Sequence, residues 1–465
     1  MRNRKYAFVL ALLVLGLIFA VALSSCGSST TSTTAAAPAT TAAAPATTAP
    51  PATTATTAGT VTTASGAPTT AAAAATGDPI TIGAINSITG VNALTGAEQK
   101  WAQEKAASDY NAAHGGIKLS DGKVHPIQLK FEDDKSSDTE AASAMEKLIK
   151  SENLKLVLSS NTTPYNQAAA TVAEQYGAFF QMNTAWIDDS GTSPGPNFIG
   201  SLHLKMSADA FEYAGQAGLA AINAAKALPN PITKFAVMCE NNPDGVGWGD
   251  GTVAGIKAVQ GWDVVSYEKF VEGQKDFSSI ILKFKQAGVQ GLIILISPAD
   301  GITFVKQLKE QGWAPQFMFG YKGFWPVEFA KGLGADANYI CNDGFWSETL
   351  PYPGAKELGA AFSAAHNGDT SVSIGLPYAT ATILFQAIEA AGSIDPTAVQ
   401  AQIFGHDFKD TVMGDINYGG AIKGDDGIAH IPFLGFQWMD MKRTVVSPDQ
   451  YATGKTQEMP AWDKR

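Results

Sequence analysis

The stretch ITIGAINSITG, residues 80–90, sets the pattern that decides the fold. Its first half, Ile80–Ile85, is a run of β-branched and small residues typical of a buried strand. After this strand, the Ala-rich segment Ala97–Ala113 predicts a helix that ends at Gly115-Gly116, and Pro126–Glu132 predicts a second strand. Strands and helices that alternate in this way predict a parallel sheet covered by helices on both faces.

The same rhythm continues through Met182 and restarts at Phe235 after a turn-rich passage. The body is therefore predicted to be two doubly wound α/β units, and Phe433–Met439 with Arg443–Val446 predicts a closing antiparallel pair that turns at Asp440. Ligands of open α/β sheets bind outside the carboxyl ends of the strands. Two such units facing each other would enclose a small molecule between them.

The first 25 residues are predicted to be a signal peptide. Arg2, Arg4 and Lys5 form a positive start, and residues 7–23 are uncharged and apolar. This run is short for a spanning helix and suits a cleaved leader. The run ends in Leu23-Ser24-Ser25-Cys26, which resembles a bacterial lipoprotein signal, and this resemblance implies lipidation of Cys26. A membrane anchor with a chance cysteine is the alternative interpretation.

Residues 26–77 are predicted to be a disordered tether, because positions 27–77 hold no charged and no aromatic residue. A flexible coil of this length spans on the order of 40 Å. It would connect Cys26 to a globular body that begins near Asp78.

Charge and motifs exclude several classes of function. The chain has four arginines, Arg2, Arg4, Arg443 and Arg465, and a net charge of -11 that falls to -14 without the leader, so a nucleic-acid partner is not expected. The Gly245–Gly251 segment has no G-x-G-x-x-G register, and no G-x-S-x-G elbow occurs. The six histidines have no metal-like spacing. We therefore expect no metal, no cofactor and no enzymatic activity.

Several short motifs, taken in order, resemble the extracytoplasmic receptors of branched-chain amino acid ABC importers, the leucine/isoleucine/valine-binding type I periplasmic binding proteins. The resemblance covers residues 78–448 and rests on Ile82–Gly90, Asn111–Ile117, Phe131–Asp134, Tyr378–Ala381, Ala391–Pro396 and Gln437-Trp438.

This resemblance implies two flavodoxin-like lobes joined by a hinge of three segments, which close on a solute. The crossings are expected near His203, Ser347 and Ile431. The lobes would then be residues 78–203 with 348–430, and 204–347 with 431–465. It also implies a monomer outside the cytoplasm, anchored to the cell membrane by its lipid and docking on an ABC permease. A surface sensor of the same fold that feeds no transporter is the alternative.

In the first lobe the resemblance implies that a ligand carboxylate is held after the third strand. Candidate donors there are Ser160, Asn161, Thr162 and Thr163, with Pro164 as the first helical residue, so that free N–H groups and the positive helix end point at the cleft. Simple helix capping by Thr163 is the alternative. After the fourth strand, Asn183, Thr184 and Trp186 match a second contact with the ligand. Trp186 either stacks on a ring or lines the hinge, and Ser87, Thr89 and Leu94 could close the rim.

In the second lobe, Trp248 takes the place of a tyrosine that usually covers the ligand, and Ser297 follows the third strand. Receptors of this family commonly have an acid where this chain has Lys322, beside Tyr321. A lysine would repel a ligand ammonium and suit a second anionic group, unless it is simply solvated. The aromatic residues at strand ends could sandwich a ring-bearing solute. They are Trp186, Trp248, Tyr321, Phe324, Trp325, Phe345 and Trp346.

Cys239 and Cys341 are expected to be buried free thiols. In a sheet of order 2-1-3-4-5 they lie three strand positions apart, about 14 Å. That separation is too long for a disulfide.

Overall fold

A computed structural model describes residues 75–183, 186–187, 204–205, 215–418, 429 and 433–465. The strands in this part of the chain are β1 (Ile80–Asn86), β2 (Ile117–Lys118), β3 (Val124–His125), β4 (Ile127–Asp133), β5 (Leu156–Leu158), β6 (Phe179–Gln181), β7 (Trp186–Ile187), β8 (Leu204–Lys205), β9 (Lys234–Glu240), β10 (Asp263–Phe270), β11 (Gly291–Ile296), β12 (Phe317–Lys322), β13 (Cys341–Gly344), β14 (Asp407–Thr411), β15 (Gly414–Asn417), β16 (Leu434–Met439) and β17 (Lys442–Ser447).

The helices alternate with these strands for most of the chain. They are α1 (Ala93–His114), α2 (Asp138–Lys150), α3 (Thr163–Tyr176), α4 (Gly215–Lys226), α5 (Pro243–Ala258), α6 (Ser278–Gln286), α7 (Pro298–Glu310), α8 (Val327–Leu333), α9 (Ala355–Ala365), α10 (Gly375–Ala391) and α11 (Pro396–Gln400), with short 3-10 turns at Gly334–Ala337 and Trp462–Lys464.

The first sheet has the order β4-β1-β5-β6, and all its strands are parallel. Both faces are covered, because residues of α1 and α10 share one hydrophobic core with one face of β1, and residues of α2 and α3 share another with the opposite face. Local sequence caps α2, where the Ser137 hydroxyl accepts from the backbone N–H of Glu140. The predicted strand–helix rhythm of residues 80–182 is confirmed.

The second sheet has the order β10-β9-β11-β12-β13-β16-β17. Its first five strands are parallel in the flavodoxin-like order, and β16 and β17 add an antiparallel pair whose turn, Asp440-Met441, has positive φ angles. All six residues of β11 are buried, as expected for a central parallel strand. Cys239 on β9 and Cys341 on β13 are three positions apart and are buried free thiols, as predicted.

Residues 75–77, assigned to the tether from the sequence, form backbone hydrogen bonds with the folded body. The N–H of Gly77 donates to the carbonyl of Val124 at 2.9 Å, and the N–H of Val124 donates to the carbonyl of Ala75 at 2.9 Å. The last three residues of the predicted tether therefore pair with β3. Their backbone groups gain partners that a disordered chain would find only in water.

Several predictions lie outside the described residues. They concern the signal peptide, the tether before Ala75, Cys26, Thr184, the side chain of Trp186, and the crossings near His203 and Ile431. Among the helices that the structure describes, none combines the length and the apolar character of a membrane span.

Candidate functional site

Three helices begin directly after parallel strands, at the carboxyl edges of the two sheets. Helix α3 follows β5 in the first sheet, and α5 and α7 follow β9 and β11 in the second. Each has proline at its first or second position, where the missing N–H costs nothing. Their N-terminal N–H groups therefore collect at the edge where open α/β sheets bind ligands.

In the first sheet, Ser160 and Asn161 hydrogen-bond to neighbours from other loops. The Ser160 hydroxyl donates to the Asp134 carboxylate, and the Asn161 amide donates to the Thr95 hydroxyl at 2.8 Å. The Asn161 carbonyl accepts from Ser87 at 3.1 Å. Burial raises the pKa of Asp134. The predicted anion-binding loop thus packs against a buried carboxyl group.

Thr162, Thr163 and Asn183 are buried beside this loop. Helix α3 begins at Thr163, and Thr162 is its N-cap residue with extended backbone, φ -154° and ψ 152°. Capping by Thr163 is therefore wrong, because Thr163 already has helical backbone. Pro164 is the second helical residue instead of the predicted first. The Asn183 N–H donates to the Ser159 hydroxyl at 3.0 Å, which fixes the end of β6 to the end of β5.

At the edge of the second sheet lies a cluster of four polar side chains, here named the Glu240 cluster: Glu240, Glu272, Ser297 and Lys322. The Lys322 ammonium is 2.6 Å from one Glu240 carboxylate oxygen and 3.9 Å from Glu272. The Ser297 hydroxyl lies 2.5 Å from the other Glu240 oxygen and 2.6 Å from Glu272. A hydroxyl carries one hydrogen, so Ser297 donates to only one of the two carboxyl groups at a time.

Burial is the largest influence on this cluster. Glu240 is fully buried, and desolvation raises its pKa to about 7, while the charge and the hydrogen bond of Lys322 act in the opposite direction. The Lys322 side chain is 8% exposed, so the interpretation as a solvated lysine is wrong. The Lys322 ammonium forms an ion pair with Glu240, and a buried ammonium requires such a close partner of opposite charge.

The backbone at Lys322 explains how its side chain reaches Glu240. Its φ is 51°, in the left-handed region that only glycine adopts without cost. Gly323 follows, and a Cβ there would lie 2.4 Å from the Ile296 carbonyl oxygen. A substitution at Gly323 would therefore displace the loop that carries the lysine.

Asn92 contacts the edges of both sheets. The side-chain amide nitrogen of Asn92, which precedes α1, lies 2.9 Å from the Tyr165 hydroxyl of α3 and 3.3 Å from the Glu272 carboxylate. Glu272 follows β10 of the second sheet. The first turn of α3 and the Glu240 cluster are thus linked through a single carboxamide.

The aromatic candidates whose side chains the structure describes all lie in the hydrophobic cores. The Trp248 and Tyr321 rings meet edge to face at 4.5 Å, and Trp325 meets Phe345 in the same way at 5.0 Å. Both pairs belong to the larger hydrophobic core. Phe324 instead stacks on Phe329 at 4.2 Å in the core on the other face, so it does not face a ligand. Trp346 is fully buried and donates to the Val412 carbonyl.

The sequence did not single out Asn92, Asp134, Glu240 or Glu272 as site residues. Glu240 carried a usable signal, because it is a charged residue at the end of an otherwise apolar strand, Phe235–Cys239. Asp134 was part of the Phe131–Asp134 motif but was not expected to be a site residue. Glu272 and Asn92 lie in loops, where nothing in the sequence shows which side chain they meet. Across the described ranges, no three His, Cys, Asp or Glu side chains are grouped so that they could hold a metal ion.

Most of the chain is similar to known proteins of one kind. Residues 79–438 match the family model described as periplasmic binding protein. Leu/Ile/Val-binding protein homolog 3 of Brucella melitensis is 27% identical over 369 residues, which are 78% of this chain and 92% of that protein.

Solved structures share the fold at lower identity. The branched-chain amino acid transporter substrate-binding protein of Streptococcus pneumoniae, in complex with isoleucine, has a TM-score of 0.64 and 22% identity over 80% of this chain and 100% of its own. A solute-binding protein of an ABC transporter from Rhodopseudomonas palustris, in complex with 3,4-dihydroxybenzoic acid, has a TM-score of 0.64 and 18% identity over 83% and 99%. The two sheets therefore belong to one two-lobed fold.

Proposed function

The chain belongs to the periplasmic binding protein family, with the two-lobed type I fold, and from this premise we propose that it is the lipid-anchored receptor of an ABC importer of the branched-chain amino acid type. It binds one small solute between its lobes, carries out no reaction, and docks on a membrane permease when closed. The location outside the cytoplasm follows from the family.

The observation that carries this proposal is the Asn92 contact between the two cleft edges. Its carboxamide lies between Tyr165 of α3 and Glu272 of the Glu240 cluster, at 2.9 and 3.3 Å. The first turn of α3 and an acidic group of the other lobe are therefore close enough for one small solute to contact both. A ligand that binds only this closed arrangement shifts the population toward it.

We place a solute carboxylate at the start of α3, because its N-terminal N–H groups and positive helix end favour an anion. The residues that contact this carboxylate would be Ser160, Asn161, Thr162, Thr163, Asn183 and Thr184. The residues that line the rest of the solute site would be Trp186, Trp248, Ser297, Tyr321 and Lys322. The solute is an amino acid or an organic acid. Relatives of the same fold were solved with isoleucine and with 3,4-dihydroxybenzoic acid, which are solutes of these two classes.

A thermal-shift screen tests solute binding. The full chain is unfolded and refolded to remove bound solute, and then melted with amino acids, aliphatic acids and aromatic carboxylates. A ligand at 1,000 times its Kd stabilises the protein by about 4.1 kcal/mol, which is readily detected. At least one amino or organic acid should raise the melting temperature saturably. A screen in which no solute does so contradicts the proposal.

Anchoring and transport need separate tests. Mass spectrometry of the cell-derived protein should find Cys26 as the acylated first residue, and Cys26→Ala should release the protein from membranes. Deletion of the gene should abolish uptake of the identified solute by whole cells. Unchanged uptake would instead favour the alternative of a sensor that feeds no transporter.

A further inference from the structure

The cleft edges hold more carboxyl groups than ammonium groups. Four carboxyl groups lie at or just after the parallel strands of the second sheet, and a fifth, Asp134, is buried at the edge of the first. The only lysine buried among them in the described part of the chain is Lys322, and Lys275 is exposed on the rim. The four groups of the second sheet are Glu240, Glu272, Asp300 and Asp343.

The Lys322 ammonium already forms an ion pair within the protein. It pairs with Glu240 at 2.6 Å, whereas Glu272 is 3.9 Å away. Glu272 is the more exposed of the two acids, at 24% of its side chain against 0% for Glu240. The carboxylate that remains available to a solute is therefore Glu272.

Two buried oxygens beside Glu272 lack a donor. Asn92 and Asp300 are both buried, and within the described residues neither Asn92 Oδ1 nor Asp300 Oδ1 has a hydrogen-bond partner. Each residue is tied to the Glu272 loop by its other atom: Asn92 Nδ2 lies 3.3 Å from Glu272, and Asp300 Oδ2 accepts from the Gly273 N–H at 2.6 Å. Unpaired buried acceptors are costly, so the groups missing here are hydrogen-bond donors.

The loop before α3 offers an anion fewer side-chain donors than the sequence predicted. The Ser160 hydroxyl donates to Asp134, and the Asn161 amide donates to Thr95, so these two side chains are engaged within the first lobe. The start of α3 can still hold one carboxylate through backbone N–H groups. A second anionic group beside the Glu240 cluster would meet Glu272 and Asp300.

We propose that the solute carries a net positive charge, being an amino acid with a basic side chain whose cationic nitrogen binds Glu272 between Asn92 and Asp300. This inference rests on the proposed solute-binding function and narrows its ligand class. It replaces the expectation that Lys322 selects a second anionic group, because Glu240 balances the charge of that lysine. Burial raises the pKa of Asp300, and a cation bound nearby would favour its charged form.

Calorimetric titration of the full chain with matched probes tests the inference. L-Lysine and L-norleucine share a side chain of four carbons, to which lysine adds a terminal ammonium, and cadaverine is lysine without its carboxylate. Lysine should bind at least tenfold more tightly than norleucine. Glu272→Gln should reduce this preference to near unity. Glu268→Gln is the matched control on β10, the strand that precedes Glu272, because Glu268 pairs with Lys283 at 2.7 Å, away from the cleft, and it should keep the preference.

The outcomes separate the two proposals. If norleucine or leucine binds as tightly as lysine or more tightly, the charge inference is overturned and solute binding stands. Preference for lysine that survives Glu272→Gln also overturns the inference, because the cation then binds elsewhere. Cadaverine that binds as tightly as lysine supports a cationic ligand and removes the need for a carboxylate at α3. Failure of every amino acid, amine and organic acid to bind contradicts the proposed function itself.

Discussion

The buried Lys322–Glu240 ion pair makes each partner depend on the other. Its two side chains are 8% and 0% exposed, and removing one charge leaves the other desolvated without a partner. At pH 8, above the Glu240 pKa of about 7, we expect Lys322→Met to lower the free energy of unfolding by about 3–5 kcal/mol, measured by urea denaturation. Lys309→Met is the control, because Lys309 pairs with Asp336 on the surface and should cost about 1 kcal/mol or less.

A double variant distinguishes charge burial from lost packing. Glu240→Gln together with Lys322→Met removes both charges, so it should be more stable than Lys322→Met alone. Equal stability of the single and double variants would show that Glu240 is not the group left unpaired.

Glu240 also makes stability depend on pH. Its pKa in the folded protein is about 7, raised mainly by burial from a usual 4.5, so the folded state holds a proton that the unfolded state has lost. The stability that this bound proton contributes is fully present below about pH 4.5. It is lost as the pH rises to about 7, the pKa of Glu240 in the folded protein. The difference in unfolding free energy between the wild type and Glu240→Gln should therefore change across this window. A constant difference from pH 4.5 to 7.5 would contradict the raised pKa.

Sequence located the positions of several site residues but not their partners. Ser297 and Lys322 were expected at strand ends of the second lobe, where the structure has them. Their partners Glu240 and Glu272 are 57 and 25 residues from Ser297 along the chain. Such contacts depend on which strands are neighbours and on how each loop turns, and side-chain type alone does not reveal this.

At the scale of elements, the loops after β1 and β10 are held together by Asn92 and Glu272. Asn92→Asp would place a carboxylate where an amide now lies 3.3 Å from Glu272. Two like charges about 4 Å apart repel by about 4 kcal/mol at an effective dielectric constant of about 20. We expect amide hydrogen exchange in residues 88–96 and 271–275 to accelerate by about tenfold or more, because the edges separate more often.

Asn153→Asp is the control for this change, because Asn153 lies in an exposed turn before β5, away from Glu272. It should leave exchange in both loops unchanged. Unchanged exchange in Asn92→Asp would show that the contact does not hold the loops together.

Helix beginnings were predicted less exactly than the helices themselves, since α1 begins at Ala93, four residues before the predicted Ala97. The order Thr163-Pro164 indicated the start of α3, but the choice between Thr162 and Thr163 as the cap depends on backbone angles. The start of α2 depends on a local contact instead, because the Ser137 hydroxyl accepts from the N–H of Glu140 three residues later.

At the scale of the molecule, hydrophobic periodicity was enough to predict two parallel sheets. Parallel strands are buried on both faces, so runs such as Leu292–Ile296 stand out from amphipathic helices. The lobe boundaries stay a prediction, because two of the three crossings lie outside the described residues. The closeness of the two cleft edges was not predictable, since contacts such as that of Asn92 with Glu272 join loops 180 residues apart.

The proposed function requires one solute to bind between the two lobes. Hydrogen exchange on the full chain, with and without the amino acid that gives the largest thermal shift, tests it most directly. We predict slower exchange on both cleft edges, at residues 159–166 of the first lobe and at residues 240–246, 271–275 and 297–301 of the second. Protection confined to one lobe, or absent from both cleft edges, would contradict the account.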